Sequence, residues 1–301
     1  MMNAKQSDRL ATGVIYTLVG VVIATLVFLL GYILFQGVPH ISWRFLTTAS
    51  SNMTAGGGIR DQLFNSLYLL VLTTIISVPI ALGAGIYLSE YAPHNAVTSF
   101  VRSAIEVLSS LPSIVVGLFG YLVFALKFNL GFSVLTGAIA LTVFNLPILT
   151  RNIEESLEDV PNLQREAGLS LGLSRWRTTT KIVLPTAIPG ILTGIILSAG
   201  RVFGEAAALI YTAGQSNINV SYTDWNPFNA SSFLNPMRPA ETLAVHIWQL
   251  NTEGVTPDAK AISAGASAVL IIVILLVNLG ARGLGGLVYR RLTGKQAKGA
   301  A

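Results

Sequence analysis

The sequence predicts an all-α, polytopic membrane protein with six spanning helices, and three observations carry that prediction. Only 11% of the 301 residues are charged and 52% are hydrophobic, against roughly 25% charged in an ordinary soluble domain. Mean hydropathy is +0.64. Six apolar stretches, at about 11–36, 62–88, 103–126, 130–150, 186–212 and 260–281, are each close to the ~20 residues needed to cross a bilayer.

The first stretch is too long for a signal peptide and has no clear small-residue cleavage site, so it reads as a retained helix. The next four carry Pro79, Pro112, Pro147 and Pro189. Each removes a backbone donor and favours a kink or break, which a membrane tolerates only where neighbouring helices satisfy the freed groups. Gly190-x-x-x-Gly194 and Gly200-x-x-x-Gly204 put small residues on one face of the fifth stretch, suiting close helix packing. The sixth stretch is uninterrupted.

Six spans place both termini on one side. With the termini inside, thirteen Lys and Arg lie inside, among them Lys5, Arg9, Arg102, Arg151, Arg165, Arg175, Arg177, Lys295 and Lys298, and five lie outside. That asymmetry is the positive-inside pattern. The formal charge of +5 is therefore mostly a topology signal, and no basic arm with interleaved aromatics points to nucleic acid.

The whole chain reads as one domain with two long connections, 151–185 inside and 213–259 outside. The outer one holds Trp225, Phe228 and an apolar patch from Leu243 to Leu250. It suits either docking of a soluble binding protein or interfacial anchoring by Trp225 and Trp248. His246 reads as a satisfied interface residue.

The inner connection predicts a helix–turn–helix knob. Pro161 suits a first helical turn, giving a helix over about 161–171. Gly172 can adopt the left-handed conformation that ends a helix, and Ser174 can cap a second one running to Lys181. Pro185 starts the fifth span. The pattern alone favours a solvated amphipathic linker lying on the membrane surface over such a knob.

Arg201 and Glu205 both fall in the fifth stretch, where an ionisable group costs about 2.5–3.5 kcal/mol on insertion scales. They should face protein or water. Four residues apart, they are expected to share a helical face and pair. The pair either fixes helix packing, or Arg201 attracts an oxyanion such as phosphate while Glu205 neutralises it between passages.

Catalytic motifs are missing. Gly168-Leu169-Ser170-Leu171-Gly172 matches a nucleophile elbow but no strand precedes it, so an intramembrane hydrolase built on Ser170 has no partners. Gly294-Lys295 lacks the rest of a Walker A loop, HExxH is absent, and there are no cysteines. The chain predicts no cofactor, no metal site and no enzymatic activity of its own.

The spacing Glu166-Ala167-Gly168, Gly172, Ile182, Leu184-Pro185 resembles the EAA loop of bacterial ATP-binding-cassette importer permeases, with Gly168 where the consensus has alanine. Gly57-Gly58-Ile59, Ala84 to Ala92, Leu111 to Phe119 and Arg201 to Glu205 are similar to segments of the phosphate-importer permeases of PstA type. Ala206-Ala207-Ala208 departs from that pattern, which has a threonine and a proline there.

The resemblance implies a MetI-like permease fold in a bacterial inner membrane. It assigns Glu166, Ala167, Gly168, Gly172, Ile182, Leu184 and Pro185 to contact with an ATP-hydrolysing subunit. It also implies two such ATPase subunits, a related PstC-like second permease, an extracytoplasmic phosphate-binding protein, and inorganic phosphate as cargo. Sulfate or molybdate would use the same arginine chemistry. A proton-coupled carrier working through Glu205 would need no ATPase, and would leave the loop spacing unexplained.

Overall fold

The computed structural model describes residues 4–51, 54–216, 220–254 and 256–293. Gly294, Lys295 and Lys298 lie outside the described residues. Among these described residues twelve α-helices follow in order: α1 Ala4–Gly37, α2 Trp43–Thr47, α3 Arg60–Ile86, α4 Ala96–Ser109, α5 Ser113–Gly120, α6 Val134–Glu158, α7 Asn162–Ser170, α8 Arg175–Thr178, α9 Leu184–Phe203, α10 Ala207–Ile210, α11 Leu243–Glu253 and α12 Ala259–Thr293. Helices α3, α5 and α8 each run on into wider π-helical turns, at Tyr87–Tyr91, Tyr121–Lys127 and Thr179–Val183. Among the described residues there is no β-strand, only one isolated bridge between Ser221 and Ser232.

Among the described residues five helical segments are long and apolar enough to cross a membrane, and a sixth span results if α4 and α5 count as one. Those two are bent by 98°. The stretch 103–126, expected as a single span, is thus broken at Ser110–Pro112. Pro112 cannot continue the α4 hydrogen-bond ladder, and its φ of −60° with ψ of 135° turns the chain instead. The stretch 186–212 also differs from expectation: α9 stops at Phe203, with Gly204 as its C-cap, and α10 is a separate turn.

The bundle is a sequence of helix packings: α3 lies parallel on α6, with Leu69 beside Gly137 and Gly85 beside Ile153, α6 runs antiparallel to α9, α9 packs on α12, and α12 on both α1 and α11. Two apolar cores divide its length. Leu69, Leu141, Val202, Phe203 and Leu209 fill the end remote from α7. Leu149, Ile153, Leu157, Val183 and Ile191 fill the end next to it. A third cluster around Phe45, Ile59, Leu243 and Ile262 ties the far end of α12 to α2 and α11.

The α6–α9 seam is close because small and polar residues alternate across it. Gly190 faces Ser156 and Gly194 faces Asn152, where an added Cβ would stand 2.7 Å and 3.0 Å from the neighbouring side chain. One turn further on, the Asn145 amide donates to the Ser198 hydroxyl. Helix α1 is the opposite case. It is apolar all round and exposed from Val14 to Leu30, as expected of a lipid-facing helix, and packs through Gly37 against Ala264 and Ala268.

Candidate functional site

The segment 161–183 folds as two short helices. Helix α7 ends where Gly172 takes φ +80°, and the N–H groups of Leu173 and Gly172 bond back to the carbonyls of Gly168 and Leu169. This is the 6→1 and 5→2 pattern in which glycine closes a helix. Ser174 then accepts from the Arg177 N–H to cap α8. Gly168 is buried at the hinge, and a Cβ there would lie 2.7 Å from Ile182 Cδ1 and 2.9 Å from Thr178 Cγ2. The spacing between Gly168 and Ile182 thus has a physical basis, since the two residues meet across the turn. Leu184 and Pro185 open α9.

The outward surface of this knob is apolar where a solvated linker would be polar. Leu163, Leu171 and Trp176 are 77%, 81% and 60% exposed. Glu166 and Ala167 are exposed beside them. An exposed apolar patch rimmed by polar groups marks an interaction surface.

Residues that sequence reasoning treated only as topology cations fasten the knob. Arg165 donates from Nη2 to Glu90 Oε1 and to the Leu157 carbonyl, both at 2.7 Å, and from Nη1 to the Val160 carbonyl. Glu90 is 6% exposed. The Arg175 guanidinium lies 5.1 Å from the ring centre of Tyr91. From the other side Arg102 of α4 reaches Glu154 at 2.7 Å, and Glu158 and the Leu88 carbonyl at 3.2 Å. The available signal was Glu90 itself, an acid set among tyrosines directly after a hydrophobic run.

Arg201 and Glu205 are not a pair. Because α9 ends at Phe203, the four-residue spacing no longer spans one helical turn, and no salt bridge joins the two. The Glu205 carboxylate instead accepts the Ala208 N–H at 3.2 Å, at the start of α10. The Arg201 guanidinium rests on Phe144, 4.0 Å from the ring centre. Phe144 is ten residues into the 25-residue α6, so Arg201 sits abreast of the middle of that helix, on an exposed face. Phe144 was not foreseen, since nothing in an apolar run distinguishes one phenylalanine from another.

At the far end, the loop before α11 and α11 itself close over α3 through buried polar groups. Glu241 accepts from Gln62 Nε2 at 2.8 Å and contacts His246 Nδ1 at 2.8 Å. Arg238 donates to Asn65 at 2.7 Å, and burial draws the pKa of its guanidinium below the usual arginine range. The Tyr222 hydroxyl donates to Asp61 at 2.8 Å; burial, then that bond, hold the phenol well above its ordinary pKa. His246, expected as a satisfied interface residue, is instead buried within the chain, with Nδ1 on Glu241 and Nε2 without a partner.

Among the described residues no group of three or more His, Asp or Glu could hold a metal ion. Residues 77–294 match the family model described as binding-protein-dependent transport system inner membrane component. The chain is 53% identical, over 97% of its own length and 99% of the relative's, to a probable ABC transporter permease protein, YqgI, of Bacillus subtilis. It is 33% identical to the phosphate transport system permease protein PstA of Xylella fastidiosa, covering 83% of this chain and 82% of that one.

Among solved structures, a bacterial ABC transporter that imports the acidic polysaccharide alginate superimposes with TM-score 0.62 at 14% identity, over 95% of this chain and 99% of that one. The MetNI methionine ABC transporter does so with TM-score 0.57 at 17% identity, over 76% and 93%. These two likenesses show the fold. The chain belongs to the binding-protein-dependent transport system inner membrane component family: it is the membrane-spanning permease subunit of an ABC importer, not itself an enzyme, and it works with ATPase subunits and a substrate-binding protein.

Proposed function

We propose that this permease carries inorganic phosphate, as the PstA-type half of a pore completed by a related, PstC-like permease. The observation that carries the anion reading is Arg201: an exposed guanidinium in the last turn of α9, abreast of the middle of α6, resting on Phe144 and not paired with Glu205. A cation at that depth is too costly against lipid, so it faces water or another chain. Stacking on an aromatic face leaves the in-plane N–H donors free, and their fork matches the oxygens of a tetrahedral oxyanion. The PstA of Xylella fastidiosa, aligned over 83% of this chain, favours phosphate among such anions.

The α7–α8 knob is the ATPase contact. Glu166, Ala167, Leu171 and Trp176 present its surface, while Gly168, Gly172, Ile182, Leu184 and Pro185 set its shape. Two ATPases close on ATP, drive the knobs of both permeases, and alternate the pathway between its two openings; a phosphate-binding protein delivers cargo at the far end. A ligand moves such an equilibrium only by interacting differently with its two states. The knob, both termini and the ATPases share the cytoplasmic side of a bacterial inner membrane.

The test is ATP-dependent uptake of labelled orthophosphate into vesicles holding the assembled complex, with sulfate as competitor. Arg201→Ala and Arg201→Gln should abolish uptake and leave the complex assembled. Normal uptake in either variant overturns the role of Arg201, and equal competition by sulfate overturns phosphate selectivity.

A further inference from the structure

We propose that the π-helical turn Tyr87–Tyr91, at the end of α3, receives the movement of the knob, with Glu90–Arg165 as the strut that transmits it. The inference rests on the reading of α7–α8 as the ATPase contact and names the element on which that contact acts. Three arginines converge on this one turn. Arg165 from α7 grips Glu90 at 2.7 Å, Arg175 from α8 lies over Tyr91 at 5.1 Å, and Arg102 from α4 donates to the Leu88 carbonyl at 3.2 Å. Both helices of the knob therefore hold the same five residues.

A buried carboxylate is retained at a cost unless a partner satisfies it, and Glu90 is almost completely buried, with the Arg165 guanidinium and the Ser89 hydroxyl as its donors. What the pair adds is a fixed register between knob and helix. The turn is suited to take up displacement. Its bonds run five residues back, as in Ala92 N–H to the Tyr87 carbonyl at 2.8 Å, and such widened turns recur at functional positions in helices. It is continuous with α3, a full span packed along α6. Through Arg102, which also holds Glu154 and Glu158, it is joined to α4 and hence to the 98° bend that leads into α5. A displacement of the knob cannot leave the ends of α3 and α4 in place without breaking these contacts.

The experiment uses the complete complex. The chain has no cysteine, so Tyr87→Cys with Ser170→Cys places two nitroxide labels, one on the turn and one on the knob, and their separation is measured by pulsed electron resonance with and without ATP–vanadate. With Glu90 intact the separation stays the same and narrow in both states. In Glu90→Gln it shifts or broadens under ATP–vanadate, and ATP hydrolysed per labelled orthophosphate imported rises about tenfold, a common size for coupling between sites.

The charge exchange Glu90→Arg with Arg165→Glu restores both readouts toward the unaltered values. Unchanged distances in Glu90→Gln overturn the proposal. So does failure of the exchange to restore them, or loss of ATPase co-purification in Glu90→Gln, which would make the pair a docking element. Failure of the unaltered permease to co-purify with an ATPase would overturn the knob reading itself. A complex that shows the label shifts but imports no orthophosphate would overturn only the phosphate assignment.

Discussion

The two ends of the bundle are fastened by different means. At the far end Gln62, Asn65, Arg238, Glu241 and His246 are each no more than 3% exposed and bond to one another across α3, the preceding loop and α11. At the knob end the fastening arginines, Arg102 and Arg165, keep 31% and 19% of their side chains open, and bare leucines and a tryptophan face outward. Buried polar networks are costly to leave half satisfied and therefore hold one arrangement. There the arginines stay within reach of water while their carboxylates, Glu154 and Glu90, are 1% and 6% exposed, so each pair holds a register without sealing that end. The contrast separates a fixed cap from a part that can dock and shift.

The largest expected effect tests the fixed cap. Glu241→Ala strips the acceptor from Gln62 and the partner from His246 in a site that excludes water. Leaving such groups unpaired should cost about 3 kcal/mol. The measurement is thermal unfolding of the purified protein followed by tryptophan fluorescence, where a drop of several degrees is expected. An unchanged midpoint would mean that the far end is no more firmly held than the knob.

A smaller and more local effect tests the knob. Gly172→Val forces a β-branched residue into φ +80°, at about 1–3 kcal/mol of backbone strain. Nothing lies within 4 Å of a Cβ added at Gly172, so the strain stays in the turn; global melting should move little while co-purification of the ATPase is lost. A large drop in melting temperature together with intact co-purification would reverse the assignment of fixed and movable ends.

Much of this organisation is legible in the sequence, for reasons that also explain what is not. Membrane residence and helical class follow from the run lengths around Leu10–Phe35 and Ala261–Gly280, which no soluble core would tolerate. The break at Pro112 was half visible, since the proline was noted, yet hydropathy stays high on both sides and a window average runs across it. The end of α9 was hidden further. Ala206-Ala207-Ala208 favours helix by intrinsic propensity, and the chain turns at Gly204 instead, so the Arg201–Glu205 spacing loses its meaning. The knob residues stood out as a spacing, but the reason for it, Gly168 lying against Ile182, exists only in the folded turn. Glu90 and Arg165 are 75 positions apart, and no local rule joins them.

The smallest expected effect sets the scale for the others. Arg151 and Glu155, one turn apart on α6 and 2.7 Å from each other, are 51% and 52% exposed. Each ion is already solvated when the pair opens, and ordering two long side chains offsets the attraction. Arg151→Gln should therefore cost no more than about 0.5 kcal/mol, below what a melting curve readily resolves. Arg102→Gln, on the neighbouring pair, removes the close partner of Glu154, which is 1% exposed, and leaves it only Arg151 at 3.8 Å. It should cost more than Arg151→Gln and less than Glu241→Ala. If the two arginine variants melted alike, burial of the carboxylate would not be what distinguishes a strut from a surface pair, and the graded difference between the two ends of the bundle would lose its physical basis.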